Sequence, residues 1–265
     1  MKALIDADIL RYEIGFASQT GWKAITDRDE IPPFNYVQDM LHQRIDQILL
    51  VTGADDYSLF LTEGRTFRYD LAKRRPYKGT RTANKPWHFD NLSVYIRDVL
   101  PSTIVTEIEA DDAMAIEQCT TDYETVICSR DKDLWQVPGL FYSWEIGNQA
   151  SIGPKYNDEV GEVRLSDTRK KIYGDGFAYF CSQLFTGDVV DNIPGLPKYG
   201  PVKVAALLEA EDDPKFLMAT VEEEYEKVYG DEWEEELLEQ GRLLWIVRKL
   251  DEHGNPVLWE RGMYK

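Results

Sequence analysis

Four short apolar runs, each followed by a carboxylate, constrain this chain more than any other feature. Ala3-Leu4-Ile5 ends at Asp6, and Tyr57-Ser58-Leu59-Phe60-Leu61-Thr62 at Glu63. Ile104-Val105 is followed by Glu109, Asp111 and Asp112, and Thr125-Val126-Ile127-Cys128 by Asp131 and Asp133. Between the runs the apolar spacing changes to that of a helix. Residues 35–51 carry Val37, Met40, Leu41, Ile45, Ile48 and Leu49 with Gly53 as a stop, 90–100 end before Pro101, and 111–118 follow. Strands alternating with helices predict an open α/β sheet with a mostly parallel order. Ligands of such sheets bind beyond the carboxyl ends of the strands. Four strand ends would therefore deliver seven carboxylates to one edge.

Seven acids cannot share an edge without counter-charge, because like charges repel and raise one another's pKa. An all-oxygen set, with no His or Cys in it, favours Mg²⁺ or Mn²⁺ over zinc. So many acids suggest two ions, an arrangement that clamps both the attacking and the leaving oxygen in phosphodiester hydrolysis. Taken singly, each acid has a structural explanation. Asp111 and Asp112 suit the first turn of a helix, and Asp131-Lys132-Asp133 suits a turn. Asp6 is different, since an acid in a buried strand needs a partner. Recurrence at four strand ends favours the joint reading. Asp8 reads as a supporting residue or an N-cap.

The net charge of −18 over 265 residues argues against nucleic acid until its distribution is considered. From 64 to 85 there are eight cations (Arg65, Arg68, Lys73, Arg74, Arg75, Lys78, Arg81, Lys85) and one acid, Asp70. The span 222–239 holds ten carboxylates and one lysine, and reads as amphipathic helix with a solvated acidic face. The basic span is too long for an ordinary connection, and long connections are usually functional or disordered. Cys119, Cys128 and Cys181 are scattered without metal-ligand spacing, which fits a reducing cytoplasm. The first run contains Asp6, so it is not a signal peptide, and no apolar run is long enough for a membrane span.

Strands are expected near 140–144 and 161–165, and from 167 onward the pattern is mostly helical. Thr186-Gly187-Asp188-Val189-Val190-Asp191-Asn192-Ile193-Pro194-Gly195 precedes Leu196-Pro197-Lys198-Tyr199-Gly200-Pro201 and a second apolar stretch. Asp188 and Asp191 are three apart and would share a face if helical, adding two carboxylates to the site. Pro194-Gly195 breaks the helix and Pro201 suits the first turn of the next. The plain alternative is an ordinary helix–turn–helix packing unit. The functional one is a loop whose backbone groups hold a phosphate chain.

Glu109-Ala110-Asp111-Asp112, Ser129-Arg130-Asp131-Lys132-Asp133 and the run from Gly187 to Gly195 occur in an order that resembles the 5′ nuclease (flap endonuclease) superfamily. The likeness covers 1–210 and is strongest to stand-alone phage-type 5′–3′ exonucleases and the nuclease domain of bacterial DNA polymerase I. It implies a PIN-like α/β core over 1–166, including a basic helical arch at 64–89. A helical region then spans 167–265, with a helix–three-turn–helix at 186–209. It implies Asp6, Glu63, Glu109, Asp111 and Asp131 at or near one divalent ion, and Asp112, Asp133, Asp188 and Asp191 nearer a second. It also implies K⁺ at the 195–200 turn, DNA with a free 5′ end as partner, and a phage protein in its host's cytoplasm. Tyr77-Lys78-Gly79-Thr80-Arg81 matches the family's Tyr-Lys-Gly-x-Arg. Glu63 departs from the usual Asp, and Lys198 from the first Gly of the usual Gly-x-Gly.

On this reading hydroxide attacks the scissile phosphate in line, leaving a 5′-phosphate and a 3′-hydroxyl. Lys78 and Arg81 neutralise the developing charge. Arg74, Arg75, Tyr77, Gly195, Lys198, Gly200 and Lys203 join them in holding DNA, with Tyr77, Phe67, Tyr69 or Trp87 stacking on unpaired bases; core packing is the alternative for the aromatics. Two other functions stay open, a PIN-type ribonuclease and a protein that binds DNA junctions without cutting.

Overall fold

The computed structural model describes residues 1–81, 84–121, 124–209 and 211–263. In chain order its elements are β1 (Lys2–Asp6), α1 (Ala7–Thr26), α2 (Phe34–Thr52), β2 (Asp56–Thr66), α3 (Arg68–Leu71), α4 (Phe89–Val99) and β3 (Ser102–Glu107). There follow α5 (Ala110–Thr120), β4 (Thr125–Cys128), a 3-10 turn (Lys132–Gln136), β5 (Gly139–Ser143), β6 (Ile152–Asn157), β7 (Val163–Leu165) and β8 (Ile172–Gly174). The chain ends with α6 (Gly176–Thr186), α7 (Pro201–Leu208), α8 (Pro214–Tyr229), a second 3-10 turn (Gly230–Glu232) and α9 (Trp233–Leu244). These fall into two compact units. The first is Met1–Gly64 with Thr82–Asp131 and Leu140–Lys155; the second is Arg65–Arg81 with Lys132–Gly139 and Tyr156–Lys265.

The first unit is built on the sheet, whose strand order is β3-β2-β1-β4-β5-β6. β1 lies between β2 and β4 and is parallel to both, with Ile5 opposite Leu59 and Cys128; β5 continues in parallel beside β4. Buried on both faces, β1 and β4 read as unbroken apolar runs, as central parallel strands do. α1 starts where Asp6 caps it and ends at Asp27, a left-handed residue with φ 57°. α2 buries Val37, Leu41, Ile45 and Ile48 and stops at Gly53, φ 69°. These residues pack with Ala3, Ile5, Leu10, Leu59 and Val126 in one core, and each large aliphatic contributes about 1.5–3 kcal/mol by leaving water. The α/β sheet with flanking helices is the expected architecture. β2 is longer than expected and carries Glu63 inside it, and β6 was not foreseen.

The second unit is organised around α6. Its residues 176–185 are all buried, so it packs on every side, as a core helix must. Tyr77, Leu184, Val204, Leu217, Val221, Leu237 and Trp259 share its core. β7 and β8 form an antiparallel hairpin, so the stretch after 167 does not begin as helix. The described part of 64–89 is not a helical arch: it holds the last residues of β2, the single turn of α3, and further turns. Thr82 and Ala83 of that stretch lie outside the described residues. No helix among the described residues is long and apolar enough to cross a membrane.

Candidate active site

In the first unit the site begins with Asp6, the last residue of β1. It is 1 % exposed. Its Oδ1 accepts the Ile9 N–H at 3.1 Å, which caps α1, and its Oδ2 accepts the Ser129 hydroxyl at 2.6 Å. Burial, then the charge of Asp8, push its pKa up to about 7; Asp131 adds to the rise, while Ser129 and the Ile9 N–H oppose it. Ser129 also accepts the Asp131 N–H at 2.9 Å. One buried hydroxyl thus ties the end of β1 to the loop after β4. Asp8 pairs with Arg11 at 2.8 Å and accepts the Thr62 N–H at 3.3 Å. Its pKa is also raised, chiefly by burial, against the pull of Arg11 and Thr62.

The remaining acids of this unit stand around the start of α5. Glu109 and Asp112 form a capping box: the Glu109 side chain accepts the Asp112 N–H, and Asp112 accepts the Glu109 N–H at 3.0 Å. Asp112 is fully buried, and Asp111 is partly exposed in the same turn. The helix-terminal explanation therefore holds for Asp112, whatever else it does. The Thr62 hydroxyl accepts the Ala110 N–H at 2.8 Å, fixing the start of α5 to β2. One residue on, Glu63 pairs with Arg97 at 3.1 Å, both about two-fifths exposed.

In the second unit Asp133 and Asp188 close on one cation. The Lys132 ammonium lies 3.1 Å from Asp133 Oδ1 and 2.5 Å from Asp188 Oδ2. Burial works against that charge, but Asp133, Tyr179 and Asp188 outweigh it and raise the lysine's pKa. Gln183 donates to Asp133 at 2.6 Å. Asp188 is buried and its Oδ1 accepts the Val190 and Asp191 N–H groups at 2.7 and 3.2 Å, an Asx turn. Residues 188–193 are therefore a turn closed by an Asp188–Ile193 bridge and not helix, so the expected shared helix face does not form.

Asp191 anchors the basic segment. Its Oδ2 accepts the Tyr77 hydroxyl at 2.8 Å, its Oδ1 the Arg81 guanidinium at 2.6 Å, and its carbonyl the Lys78 N–H at 3.0 Å. Asn192 donates to the Pro76 carbonyl at 3.0 Å. Lys78 adopts φ 53°, a left-handed conformation. Tyr77 is 4 % exposed with its ring against Tyr69. The structure corrects the expectation that it stacks on bases: it holds Lys78 and Arg81 on the turn. Of the other aromatics, Phe67 and Tyr69 are half-buried and Trp87 is exposed.

Two other cations have internal partners. Arg68 is 1 % exposed and donates to the Leu243 and Trp245 carbonyls at 3.1 and 2.7 Å. Arg74 pairs with Glu236 at 2.6 Å, and Glu239 accepts the Lys73 and Arg74 N–H groups at 2.9 and 2.8 Å. Part of the acidic stretch thus neutralises the basic one, in place of a wholly solvated face. Arg75 is exposed.

The glycine turn joins α6 to α7. Gly187 and Gly195 both have φ 64° and lie back to back, so a Cβ on Gly195 would sit 2.3 Å from the Gly187 nitrogen. Lys198, standing where the resemblance implies glycine, adopts φ 69°. The backbone asks for a residue without Cβ there and holds a lysine. Gly200 caps α7 with an ordinary φ of −83°. Lys203 lies over the Tyr199 ring, 3.3 Å from its centroid.

Ser129, Thr62, Lys132 and Gln183 are the residues that reading the sequence for acids passes over; Asp8, read as a supporting residue or an N-cap, lies inside α1 and is not its cap. Ser129 and Lys132 had a signal, since each adjoins or separates expected ligands. Among the described residues no three His, Cys, Asp or Glu side chains form a cluster that could hold a metal ion. The donor chemistry nevertheless fits a hard divalent cation. The charges of Asp8 and Asp131 raise the pKa of the buried Asp6, and two carboxylates converge on the Lys132 ammonium where such a cation would be favoured.

No family model matches the sequence. A DNA polymerase I from Rhizobium leguminosarum is 29 % identical over 163 residues, which is 58 % of this chain and 15 % of the polymerase. The chain thus matches a small part of that protein's length. Among solved structures, bacteriophage T5 5′-exonuclease with zinc bound aligns over 92 % of this chain and 89 % of its own, at 15 % identity and a TM-score of 0.49. The T5 D15 protein co-crystallised with metal ions covers 92 % and 100 %, at 14 % identity and TM-score 0.45. The catalytic core of Rad2 with DNA substrate covers 78 % and 59 %, at 15 % identity and TM-score 0.48.

Proposed function

We propose that this chain is a metal-dependent 5′ nuclease, a 5′–3′ exonuclease and flap endonuclease that hydrolyses DNA near a free 5′ end. The observation that carries this reading is Asp6. A carboxyl group buried at the end of a central strand, whose pKa burial and the charges of Asp8 and Asp131 push up to about 7, is favoured in its charged form by a cation beside it. The likeness to a DNA polymerase I supports DNA as the substrate class.

Asp6, Glu63, Glu109, Asp111 and Asp131 would hold one Mg²⁺ or Mn²⁺, and Asp112, Asp133, Asp188 and Asp191 a second. Bound ions supply a lowered pKa for the attacking water and neutralise charge on the phosphate. Ser129 holds Asp6 and the Asp131 backbone in register, so the donors are set before an ion arrives. Lys78 and Arg81, fixed on Asp191, present cations to the phosphate as its charge develops. Arg75, Lys198 and Lys203 contact the DNA backbone together with the 195–200 turn, whose carbonyls would take K⁺. Arg74 and Tyr77 act through the segment they anchor.

Cleavage of a labelled 5′-flap duplex, a linear duplex and a closed circle, with Mg²⁺ and with EDTA, tests the reading. Cutting confined to the end-bearing DNAs, and lost with EDTA or Asp131→Asn, is expected. Cutting of RNA alone would replace it with a ribonuclease, and inertness toward both would leave a binding protein.

A further inference from the structure

A second concentration of cations lies on the β7–β8 hairpin. Residues 164–171 hold Arg164, Arg169, Lys170 and Lys171 against a single acid, Asp167, in a chain of net charge −18. The strands pair with Arg164 opposite Tyr173, so these two exposed side chains share a face. The tip is a built turn. The Ser166 N–H donates to the Lys171 carbonyl at 2.9 Å, and the Arg169 N–H to the Ser166 carbonyl at 2.7 Å. The Ser166 hydroxyl accepts the Lys170 and Lys171 N–H groups at 3.2 and 3.1 Å. Arg169 takes φ 57° within it, a conformation unfavourable to a side chain with a Cβ. The backbone is thus fixed, and Arg169, Lys170 and Lys171 project together into solvent.

These cations differ from most others on the surface. Arg65, Arg74, Lys132 and Lys227 each sit against an acid. None of Arg164, Arg169, Lys170 and Lys171 forms an ion pair among the described residues, although acids outnumber bases 48 to 30. Exposed like charges held side by side repel, and an external polyanion relieves that repulsion by releasing its own counterions.

We propose that the β7–β8 hairpin is a DNA-backbone contact, in which Arg169, Lys170 and Lys171, supported by Arg164, bind successive phosphates outside the catalytic residues. The proposal rests on the nuclease reading, because DNA is the substrate that reading supplies. A contact of this kind raises affinity for every sequence alike and leaves the chemical step unchanged.

The test is fluorescence anisotropy of a labelled 5′-flap duplex in EDTA across a salt series, with wild type, R169A/K170A/K171A, and a charge-matched control, R28A/K215A/K249A. Each phosphate contact contributes about 0.9 to the slope of log K against log salt. The hairpin variant is expected to lose about 2–3 units of slope, and the control less than about half a unit. R169K/K170R/K171R should keep the wild-type slope, which separates charge from folding. In steady-state cleavage the alanine variant should raise KM and leave kcat unchanged. An unchanged slope in the hairpin variant, or equal losses in both alanine triples, overturns the hairpin proposal while wild type still binds and cuts DNA. Wild type that neither binds nor cuts DNA overturns the nuclease reading and the hairpin contact together.

Discussion

Ser129→Ala isolates the contact on which the first group of acids depends. The hydroxyl donates to Asp6 Oδ2 at 2.6 Å and accepts the Asp131 N–H at 2.9 Å, and Ser129 is fully buried. A hydrogen bond to a charged group contributes about 1.5–3 kcal/mol, and the low end of that range corresponds to a rise of about one unit in the Asp6 pKa. That pKa starts at about 7. At pH 7 the ionised fraction would then fall from roughly a half to roughly a tenth, and metal affinity by about fivefold. At pH 9 both proteins would be about nine-tenths ionised or more, and the difference nearly vanishes. Calorimetric Mn²⁺ titration of both proteins at pH 7 and pH 9 reads this directly. Equal affinities at pH 7, or a deficit of the same size at both pH values, would separate the hydroxyl from the ionisation of Asp6.

Asp6→Asn should remove a pH dependence of stability. Because the folded pKa is raised from 3.8 to about 7, the folded state holds the proton more tightly. The contribution is complete below pH 4 and is lost as pH rises through 7. In EDTA the wild-type Tm should fall over that window by an amount worth up to a few kcal/mol more than that of Asp6→Asn, which should be inactive; parallel curves would contradict this. Gly195→Ala places a Cβ against the Gly187 backbone at φ 64° and should cost about 2–5 kcal/mol in denaturant unfolding; a loss under 1 kcal/mol would mean the turn relaxes freely. Arg68→Ala orphans two buried carbonyls and should cost about 3 kcal/mol while leaving the salt slope of DNA binding intact. A reduced slope would show that this cation reaches DNA.

How much of this was legible in the sequence depended on the reach of each interaction. β1 and β4 were readable because both faces are buried and nothing polar interrupts Leu4-Ile5 or Val126-Ile127. α2 was readable because Val37, Leu41, Ile45 and Ile48 recur at helical spacing before Gly53. β6 was hidden by Gly153, Pro154 and Lys155, which break any alternation. β8 has only three residues and is defined by its partner β7. Asp188 and Asp191 were spaced for a helix, but Gly187 ends α6 with φ 64° and the Asp188 side chain closes a turn instead. Arg68 counted as one more surface cation, since the carbonyls that bury it lie 175 and 177 residues away. The strand-end acids were visible one by one. What holds them, Ser129 for Asp6 and Lys132 for Asp133 and Asp188, depends on contacts made only in three dimensions.

The proposed chemistry requires two groups of carboxylates that each hold a divalent ion. Counting the Mn²⁺ bound to wild type, Asp6→Asn and Asp188→Asn, by equilibrium titration with electron paramagnetic resonance of the free ion, tests it most directly. Two ions are expected on the wild type and one on each variant, with DNA cleavage lost in both. No bound Mn²⁺ on the wild type, or two ions retained on both variants, would contradict it.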